Sequence, residues 1–259
     1  MQKFLGILAL ITVCCYLLAC AALFFYQRAL LYFPTAAATV RSPLVATLDA
    51  PGARLCIAER PRAGAQAVIY FGGNAEDVSA SLPLLAEAFP DHALYLPHYR
   101  GYAGSTGKPT ERDLVADALL LFDQVAAAHP DVVLIGRSLG SGVAVQVASR
   151  RKVSRLVLVT PYDSIVGLAA AQYPFFPVRW LLQDKYESWR YAPAVRAPTL
   201  LIAAGSDEII PAASTARLLA HFGAGIASLQ VIDGATHNGI SAAPAYLPLL
   251  RSGESRVAH

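Results

Sequence analysis

A serine in a sharp turn is the first residue whose surroundings indicate chemistry. Ser138 is the centre of a Gly-x-Ser-x-Gly pentad that begins at Gly136 and ends at Gly140. An apolar run of strand length precedes the pentad and a stretch of helical length follows it, which is the context that a nucleophile elbow requires. Such a turn holds the serine Oγ above a sheet, and side chains at the two glycine positions would collide with neighbouring backbone. Ser138 is therefore the candidate nucleophile.

A serine is not nucleophilic at neutral pH, so Ser138 predicts a base and an orienting acid elsewhere in the chain. Where a serine follows a strand in this way, the chain order is serine, acid, histidine. Asp207 follows the apolar run 198–204, and His237 follows the run 229–232. Both fall at the ends of predicted strands, so we expect them to converge on Ser138 as a catalytic triad.

The acid position has two competitors. Glu208 is adjacent to Asp207, and Asp163 follows an earlier apolar run. We assign the acid to Asp207 because it comes first in its turn and has the shorter side chain. For His237 the alternative is an ordinary surface-loop histidine.

Acyl transfer also needs two N–H donors for the oxyanion that develops on the substrate. One is the backbone of Leu139, directly after the serine and at the start of the predicted helix. The other comes from a loop after an early strand. Gly72 and Gly73 let that loop approach the substrate, and Asn74 is the candidate donor. The alternative is a plain Gly-Gly turn.

These residues need a frame of strands and helices. Short runs rich in Val, Ile, Leu or Tyr predict strands at 55–59, 67–71, 93–96, 132–135, 156–159, 200–203 and 229–232. Amphipathic stretches predict helices at 79–88, 111–128, 138–150, 212–222 and 240–250. This alternation predicts an α/β fold with a mostly parallel sheet and helices on both faces. The earliest strands, separated by turn residues at Pro51-Gly52 and Pro61-Arg62, are expected to pair antiparallel at one edge.

The aromatic-rich segment 162–195 interrupts the alternation. It predicts a short cap over the carboxyl ends of the strands, where open α/β sheets bind their ligands. The predicted organisation is an N-terminal membrane anchor at 1–26, a catalytic domain at 27–250 that contains the cap, and a flexible tail at 251–259.

The anchor rests on residues 4–26, which are 23 residues without a charge. As a helix they are long enough to cross about 30 Å of hydrocarbon. A secretory signal has a shorter apolar region and a small-residue cleavage site, so a retained single-pass anchor is expected. The competing interpretation is a lipoprotein box at 17–20, which would place a lipidated Cys20 at the mature N-terminus. Positive charges balance across the segment, so the side of the membrane stays undetermined.

Composition narrows the classes of function. Hydrophobic residues make up 55% of the 259 residues and charged residues 15%, which excludes a disordered chain. The net charge of +3 includes no basic run that would follow a phosphate backbone, so nucleic acid is not an expected partner. Cys14, Cys15 and Cys20 lie in the apolar segment and only Cys56 lies outside it, so no disulfide within the catalytic domain is possible.

Several motifs occur together in the order typical of one family. They are Phe71-Gly72-Gly73-Asn74-Ala75, the glycine-rich stretch 99–109, the elbow 136–142, the segment 173–179 and the turn 205–211. With these motifs the region from about residue 27 to 250 resembles the α/β-hydrolase superfamily, in particular its membrane-anchored serine hydrolases, which include protein depalmitoylases and lysophospholipases. The resemblance implies the α/β-hydrolase fold and the same triad of Ser138, Asp207 and His237. The chain departs from the family at Gly72, where a histidine usually braces the oxyanion loop.

The expected function is hydrolysis of carboxylic ester or thioester bonds in acyl or lipid-like substrates through an acyl-enzyme. This chemistry needs no cofactor, and the sequence contains no metal-ligand cluster. The stretch 99–109 lacks the spacing of a P-loop, so it is interpreted as a tight structural loop beside the oxyanion segment. A serine peptidase of the same fold, or a membrane-anchored binding protein that has lost activity, are the alternatives.

Overall fold

The computed structural model describes residues 1–36 and 45–252. Its helices are α1 (Gln2–Leu31), α2 (Leu82–Ala88), α3 (Glu111–Ala128), α4 (Leu139–Ala148), α5 (Ile165–Gln172), α6 (Val178–Leu181), α7 (Ser188–Tyr191), α8 (Ala212–His221) and α9 (Tyr246–Arg251). Its strands are β1 (Val45–Ala50), β2 (Ala53–Arg60), β3 (Gln66–Phe71), β4 (Ala93–Pro97), β5 (Asp131–Arg137), β6 (Arg155–Val159), β7 (Thr199–Ala204) and β8 (Ala227–Ile232). The tail predicted at 251–259 lies, from residue 253 on, outside the described residues.

The strands of the described residues form one sheet in the order β1-β2-β4-β3-β5-β6-β7-β8. From β4 to β8 all neighbouring strands are parallel, whereas β2 pairs antiparallel with β1 and with β4. Parallel strands share one direction, so the loops after β3, β5, β7 and β8 all leave the sheet at the same edge. That edge is where a site built from several loops must form.

Two apolar layers hold the helices on the sheet. One face carries α3, α4 and α8, with fully buried side chains such as Leu134, Val143 and Leu218. The other face carries α2 and α9, with Leu85 and Leu250 in its core. The central strands are buried on both faces and therefore read as continuous apolar runs in the sequence. The expectation of a mostly parallel sheet covered on both sides is confirmed.

Two features of the sheet differ from the sequence prediction. Strand β1 was not predicted, because its inward positions are two alanines and Leu48, a weak alternating pattern. The turn at Pro51-Gly52 does join an antiparallel pair, but the chain crosses over after Pro61-Arg62, and β2 pairs with β4 rather than with β3. Strand β3 has parallel neighbours on both sides, which suits a strand that is buried from Ala67 to Phe71.

Helix α1 is longer than the predicted anchor and continues to Leu31. Gln27 and Arg28 follow the apolar stretch but are good helix formers, so the loss of hydropathy does not end the helix. Helices α5, α6 and α7 lie in the aromatic segment 162–195, which we call the cap. The C-terminal part of α1 packs against the cap, with hydrogen bonds from Gln27 Nε2 to the Leu181 carbonyl (3.2 Å) and from the Gln183 N–H to Gln27 Oε1 (2.7 Å).

Candidate active site

Ser138 stands in a strained turn between β5 and α4. Its φ of 48° and ψ of −115° place a non-glycine residue in a sparsely populated region, at a cost of about 1–3 kcal/mol. A Cβ on Gly136 would lie 2.4 Å from the carbonyl oxygen of Gly140, and a Cβ on Gly140 would lie 2.1 Å from that of Phe71. Both positions therefore require glycine. The predicted nucleophile elbow has the geometry that its sequence implies.

Three side chains from three loops meet at this turn. His237 Nε2 lies 3.0 Å from Ser138 Oγ, and His237 Nδ1 lies 2.9 Å and 3.0 Å from the two carboxylate oxygens of Asp207. The His237 side chain is 4% exposed and that of Asp207 is 7% exposed. With its proton on Nδ1, His237 donates to Asp207, and Nε2 is free to accept from the Ser138 hydroxyl.

Asp207 is held as a carboxylate. Its burial opposes ionisation, but hydrogen bonds from His237 and from the backbone N–H groups of Ile210 and Ile209 outweigh burial, so the pKa of Asp207 is lowered from its usual value. A folded-state pKa below the unfolded one means that ionised Asp207 stabilises the fold above the unfolded pKa. That contribution is lost as the pH falls through the lowered pKa of the folded state.

The two competing acids have other partners. The carboxylate of Glu208 accepts the backbone N–H of His237 at 3.0 Å, and this hydrogen bond lowers the pKa of Glu208. Asp163 accepts from Arg217 Nε at 2.9 Å and from the Ser214 hydroxyl. Asp207 is thus the carboxylate placed against the imidazole ring. Glu208 instead fixes the backbone of the loop that carries that ring.

The predicted oxyanion donors lie beside the serine. Leu139 is the first residue of α4, so its backbone N–H has no carbonyl one turn back to bond with. The loop after β3 approaches from the other side, since a Cβ on Gly73 would lie 3.6 Å from the Ser138 Cβ. Asn74 follows in that loop. The arrangement can present two backbone N–H groups to a carbonyl oxygen bound over Ser138.

Glu76 is a residue of the site that the sequence analysis missed. Its carboxylate accepts from the Gly73 N–H (2.6 Å), the Tyr70 hydroxyl (2.7 Å), the Ser81 hydroxyl (2.8 Å) and Arg137 (3.1 Å). Burial, with the Glu76 charge added, raises the pKa of Tyr70 well above its usual value, so the phenol stays a donor. This network braces the loop where the family usually has a histidine. The sequence feature that could have revealed this role is the position of Glu76 three residues after Gly73, where its carboxylate can reach the Gly73 N–H.

A second network fixes Asn74 through its side chain. Its Nδ2 donates to the Leu31 carbonyl at 2.7 Å, and its Oδ1 accepts from the Phe33 N–H at 3.0 Å and from the Tyr102 hydroxyl at 2.7 Å. The last residue of α1 and the residues after it therefore hold the oxyanion loop. Nothing in the local sequence around Asn74 announces this contact with a segment about forty residues earlier.

The glycine-rich stretch 99–109 also contacts the oxyanion loop. The Tyr99 hydroxyl donates to the Gly72 carbonyl at 2.8 Å, and Arg100 forms a buried bidentate pair with Asp117 on α3. These contacts agree with its interpretation as a structural loop beside the oxyanion segment.

An apolar cavity and a charged depression lie away from the triad. An apolar cavity of about 130 Å³ separates α1 from the cap and is lined by residues that include Leu23, Leu30, Ala169, Val178 and Leu181. A larger, open and charged depression of about 440 Å³, lined in part by Glu111, Arg150 and Glu187, lies against α3 and α4. Ser138 lines neither cavity. Across residues 1–36 and 45–252, no group of three or more His, Cys, Asp or Glu side chains is placed to hold a metal ion.

Comparison with known proteins identifies the family. A model described as the alpha/beta hydrolase family matches residues 64–196, about half of the chain. A protein of Mycobacterium tuberculosis is 37% identical over 232 residues, which cover 82% of this chain and 80% of that protein. This chain belongs to the α/β hydrolase family. The alpha/beta hydrolase domain-containing protein aho-3 of Caenorhabditis elegans is 34% identical over 158 residues, 60% of this chain and 46% of that protein.

Solved structures of α/β hydrolases share the fold at low sequence identity. Est1E from Butyrivibrio proteoclasticus, solved with ferulic acid, has a TM-score of 0.67 at 15% identity over 80% of this chain and 96% of its own. The Pyrococcus furiosus esterase Pf2001 has a TM-score of 0.68 at 16% identity over 87% of this chain and 98% of its own. The predicted α/β-hydrolase fold is therefore confirmed. Family and fold make the chain a hydrolase, and α1 is long and apolar enough to be a candidate membrane span.

Proposed function

We propose that this hydrolase cleaves carboxylic ester or thioester bonds through an acyl-enzyme on Ser138. The observation that carries the proposal is the unbroken line of hydrogen bonds from Ser138 Oγ through His237 to Asp207, built on a turn that stores strain to expose the serine. A chain that needs no such nucleophile has no reason to maintain this strain.

In the first step Ser138 Oγ attacks the carbonyl carbon while its proton passes to His237 Nε2. Asp207 holds the imidazole in the required tautomer and stabilises the imidazolium that forms. The carbonyl oxygen becomes an oxyanion and accepts from the N–H groups of Leu139 and Asn74. When the intermediate collapses, the alcohol or thiol leaves with the proton from His237, and the acyl group remains on Ser138.

The second step reverses these roles with water. His237 takes a proton from a water molecule as the oxygen attacks the acyl carbon, and the same N–H donors hold the second oxyanion. Collapse returns the proton to Ser138 Oγ and releases a carboxylic acid. The residues alone supply all proton transfers, so the mechanism uses no cofactor.

We propose an acyl or lipid-like substrate because of the apolar surfaces of the cap and of the cavity beside α1. The cap exposes aromatic side chains, and the cavity between the cap and α1 is apolar. Apolar walls with few polar groups favour hydrocarbon chains over small polar esters.

We further propose that α1 stays attached as a single-pass anchor. Arg28 Nε lies 3.1 Å from Asp184, and the Tyr32 hydroxyl lies 3.0 Å from the Tyr186 hydroxyl, so the end of α1 is part of the packed domain. The helix also runs through Cys20 without a break, and Cys20 is buried. The contacts of Arg28 and Tyr32 favour a retained helix end. The stacking of Tyr16, which lies before Cys20, on Phe176 favours a helix that is not processed at Cys20.

Labelling with a fluorophosphonate probe tests the nucleophile. The full chain should label, and Ser138→Ala should lose labelling and lose about 10⁴-fold or more in kcat/KM towards p-nitrophenyl esters, acyl thioesters and lysolipids of graded length. Ser154→Ala, an exposed serine before β6, is the matched control and should label normally. Activity of Ser138→Ala within tenfold of the parent would overturn the proposal. An unlabelled parent would favour the binding protein, and cleavage of peptides but not esters would favour the peptidase.

A further inference from the structure

The cap touches α1 at two levels that lie far apart along the helix. Near the helix end, Gln27 is bonded to Leu181 and Gln183. Farther towards the N-terminus, the Tyr16 hydroxyl donates to the Phe175 carbonyl at 3.1 Å, and the Tyr16 ring stacks on Phe176 with centroids 5.8 Å apart and an interplanar angle of 4°. The segment 173–182, which we call the cap tip, therefore runs along the apolar part of α1.

The distance between the two levels gives a depth. Tyr16 precedes Gln27 by 11 residues, which is about 16 Å along an α-helix. Half the thickness of a hydrocarbon core is about 15 Å. If Gln27 and Arg28 lie at the membrane surface, the ring of Phe176 lies near the midplane of the bilayer.

The side chains of the cap tip suit this location. Phe175 is 85% exposed and Trp180 is 88% exposed, and Tyr173 is also exposed. Residues 165–182 contain a single charged side chain, Arg179, which is exposed and long enough to reach the surface. In water such a surface would be an exposed apolar patch.

The backbone of the cap tip also suits a medium without water. Pro174 and Pro177 have no N–H group to satisfy. The N–H groups of Phe176 and Val178 bond to carbonyls within the tip, as do those of residues 180–182. Tyr16 satisfies the Phe175 carbonyl. Internal pairing of backbone groups is the main requirement for a segment in lipid.

We propose that the cap tip inserts into the leaflet next to the catalytic domain, with the hydrocarbon of the bilayer as its binding partner. The inference rests on the proposed membrane anchoring of α1. Insertion opens the apolar cavity between α1 and the cap towards acyl chains without exposing it to water.

The two tryptophans of the chain allow a direct test. The full chain is reconstituted in phosphatidylcholine vesicles with bromine on acyl carbons 6,7 or 11,12, and its tryptophan fluorescence is compared with that in unbrominated vesicles. Trp189→Phe leaves Trp180 as the reporter, and Trp180→Phe leaves Trp189, which packs near His221 away from the tip. Phe175→Trp in a chain without the native tryptophans reports on the deep end.

The expected order follows from the contacts with α1. Trp180 should lose about half its fluorescence or more in the 6,7-dibromo lipid, the Phe175→Trp reporter should respond more to the 11,12-dibromo lipid, and Trp189 should lose less than about a tenth. Vesicle flotation and hydrolysis of a soluble ester check that each protein is inserted and folded.

Two results would overturn the proposal in distinguishable ways. If the chain floats with the vesicles but Trp180 is quenched no more than Trp189, the anchor stands and insertion of the cap tip is wrong. If the same weak quenching of Trp180 is seen and the chain also forms a concentration-dependent dimer in detergent, the cap tip binds a second copy of the chain instead. If the chain does not float, the proposed anchor fails as well, whereas the ester hydrolysis proposal is untouched.

Discussion

The triad and the cap tip differ in which groups they bury and which they expose. At the triad almost every polar atom has a partner and the side chains of Asp207 and His237 are nearly inaccessible. At the cap tip large aromatic rings are exposed, while several backbone N–H groups bond to carbonyls within the tip. The first arrangement fixes the relative positions of Ser138, His237 and Asp207, whereas the second leaves large apolar side chains exposed. We propose that the positioning of the reactive groups and the access of a lipid-like substrate depend on these separate regions.

Of the variants compared below, the largest loss of activity is expected from a change in the acid of the triad. Asp207→Asn should lower kcat by about 10³- to 10⁴-fold, because an amide at this position favours the wrong imidazole tautomer. Glu208→Gln is the matched control. Its amide oxygen still accepts the His237 N–H, so we expect a loss of less than about tenfold, measured with the same soluble ester.

The ranking of the two variants decides the assignment. A larger loss for Glu208→Gln would make Glu208 the acid and leave Ser138 and His237 in place. Small and equal losses in both variants would direct attention to Asp163, whose present partner is Arg217.

The brace under the oxyanion loop should have the next largest effect. Glu76→Gln keeps the size of the side chain but removes the negative charge that accepts hydrogen bonds from four donors. The amide also has an NH₂ group that needs hydrogen-bond acceptors of its own. We expect kcat to fall by about 10- to 100-fold with KM changed less than about threefold, because a loop displaced by a fraction of an ångström misplaces the Asn74 donor.

Glu87→Gln is the control for Glu76, since Glu87 is an exposed carboxylate that pairs with Arg251. A rise in KM with normal kcat in Glu76→Gln would mean that the network shapes substrate binding instead of the oxyanion hole. A large fall in melting temperature would mean that Glu76 acts on the fold.

These residues also show what the sequence can and cannot predict. The elbow was predictable because the apolar strand, the Gly-x-Ser-x-Gly pentad and the helix that follows it are consecutive in the sequence, although the contact that requires glycine at Gly140 comes from the end of β3 and the loop after it. The convergence of Asp207 and His237 on Ser138 was predictable because each lies in the loop after an apolar strand, so chain order and strand ends suffice. The central strands were predictable for the same reason, since burial on both faces leaves continuous apolar runs.

What could not be predicted depends on long-range contacts. The position of β3 between β4 and β5 reflects pairing with strands that come later in the chain. The link from Asn74 to Leu31 joins two segments whose sequences give no sign of each other. The depth that we propose for the cap tip likewise rests on the contact between Tyr16 and Phe175, 159 residues apart.

The link between the end of α1 and the oxyanion loop predicts a smaller effect. A chain that starts at Gln27 retains Leu31 and Phe33, the partners of Asn74, so its turnover of a short soluble ester should stay within about threefold of the full chain. Asn74→Ala in the full chain keeps the backbone N–H but loses three hydrogen bonds, and we expect kcat to fall by about tenfold.

Both proteins are compared by kcat and KM after thermal melts confirm folding. A folded but inactive chain from Gln27 would show that the apolar part of α1 contributes to the site. Normal kcat in Asn74→Ala would show that Glu76 and the loop 99–109 hold the oxyanion loop without help from α1.

The smallest effect is expected at the cap tip and concerns only substrates presented by a membrane. Phe175→Glu places a charge where we expect hydrocarbon, at a cost of about 2.5–3.5 kcal/mol if the tip enters fully, so the tip should withdraw towards the surface. Because α1 alone still holds the chain on the vesicle, flotation should persist, and hydrolysis of an acyl ester in the bilayer should fall by about three- to fivefold through a higher apparent KM. Hydrolysis of a short soluble ester should not change.

Leu120→Glu, an exposed apolar position on α3 away from the cap, is the matched control and should leave both activities as they are. Equal losses on both substrates would indicate damage to the fold, whereas unchanged hydrolysis of the membrane ester would show that substrate reaches Ser138 without passing the cap tip.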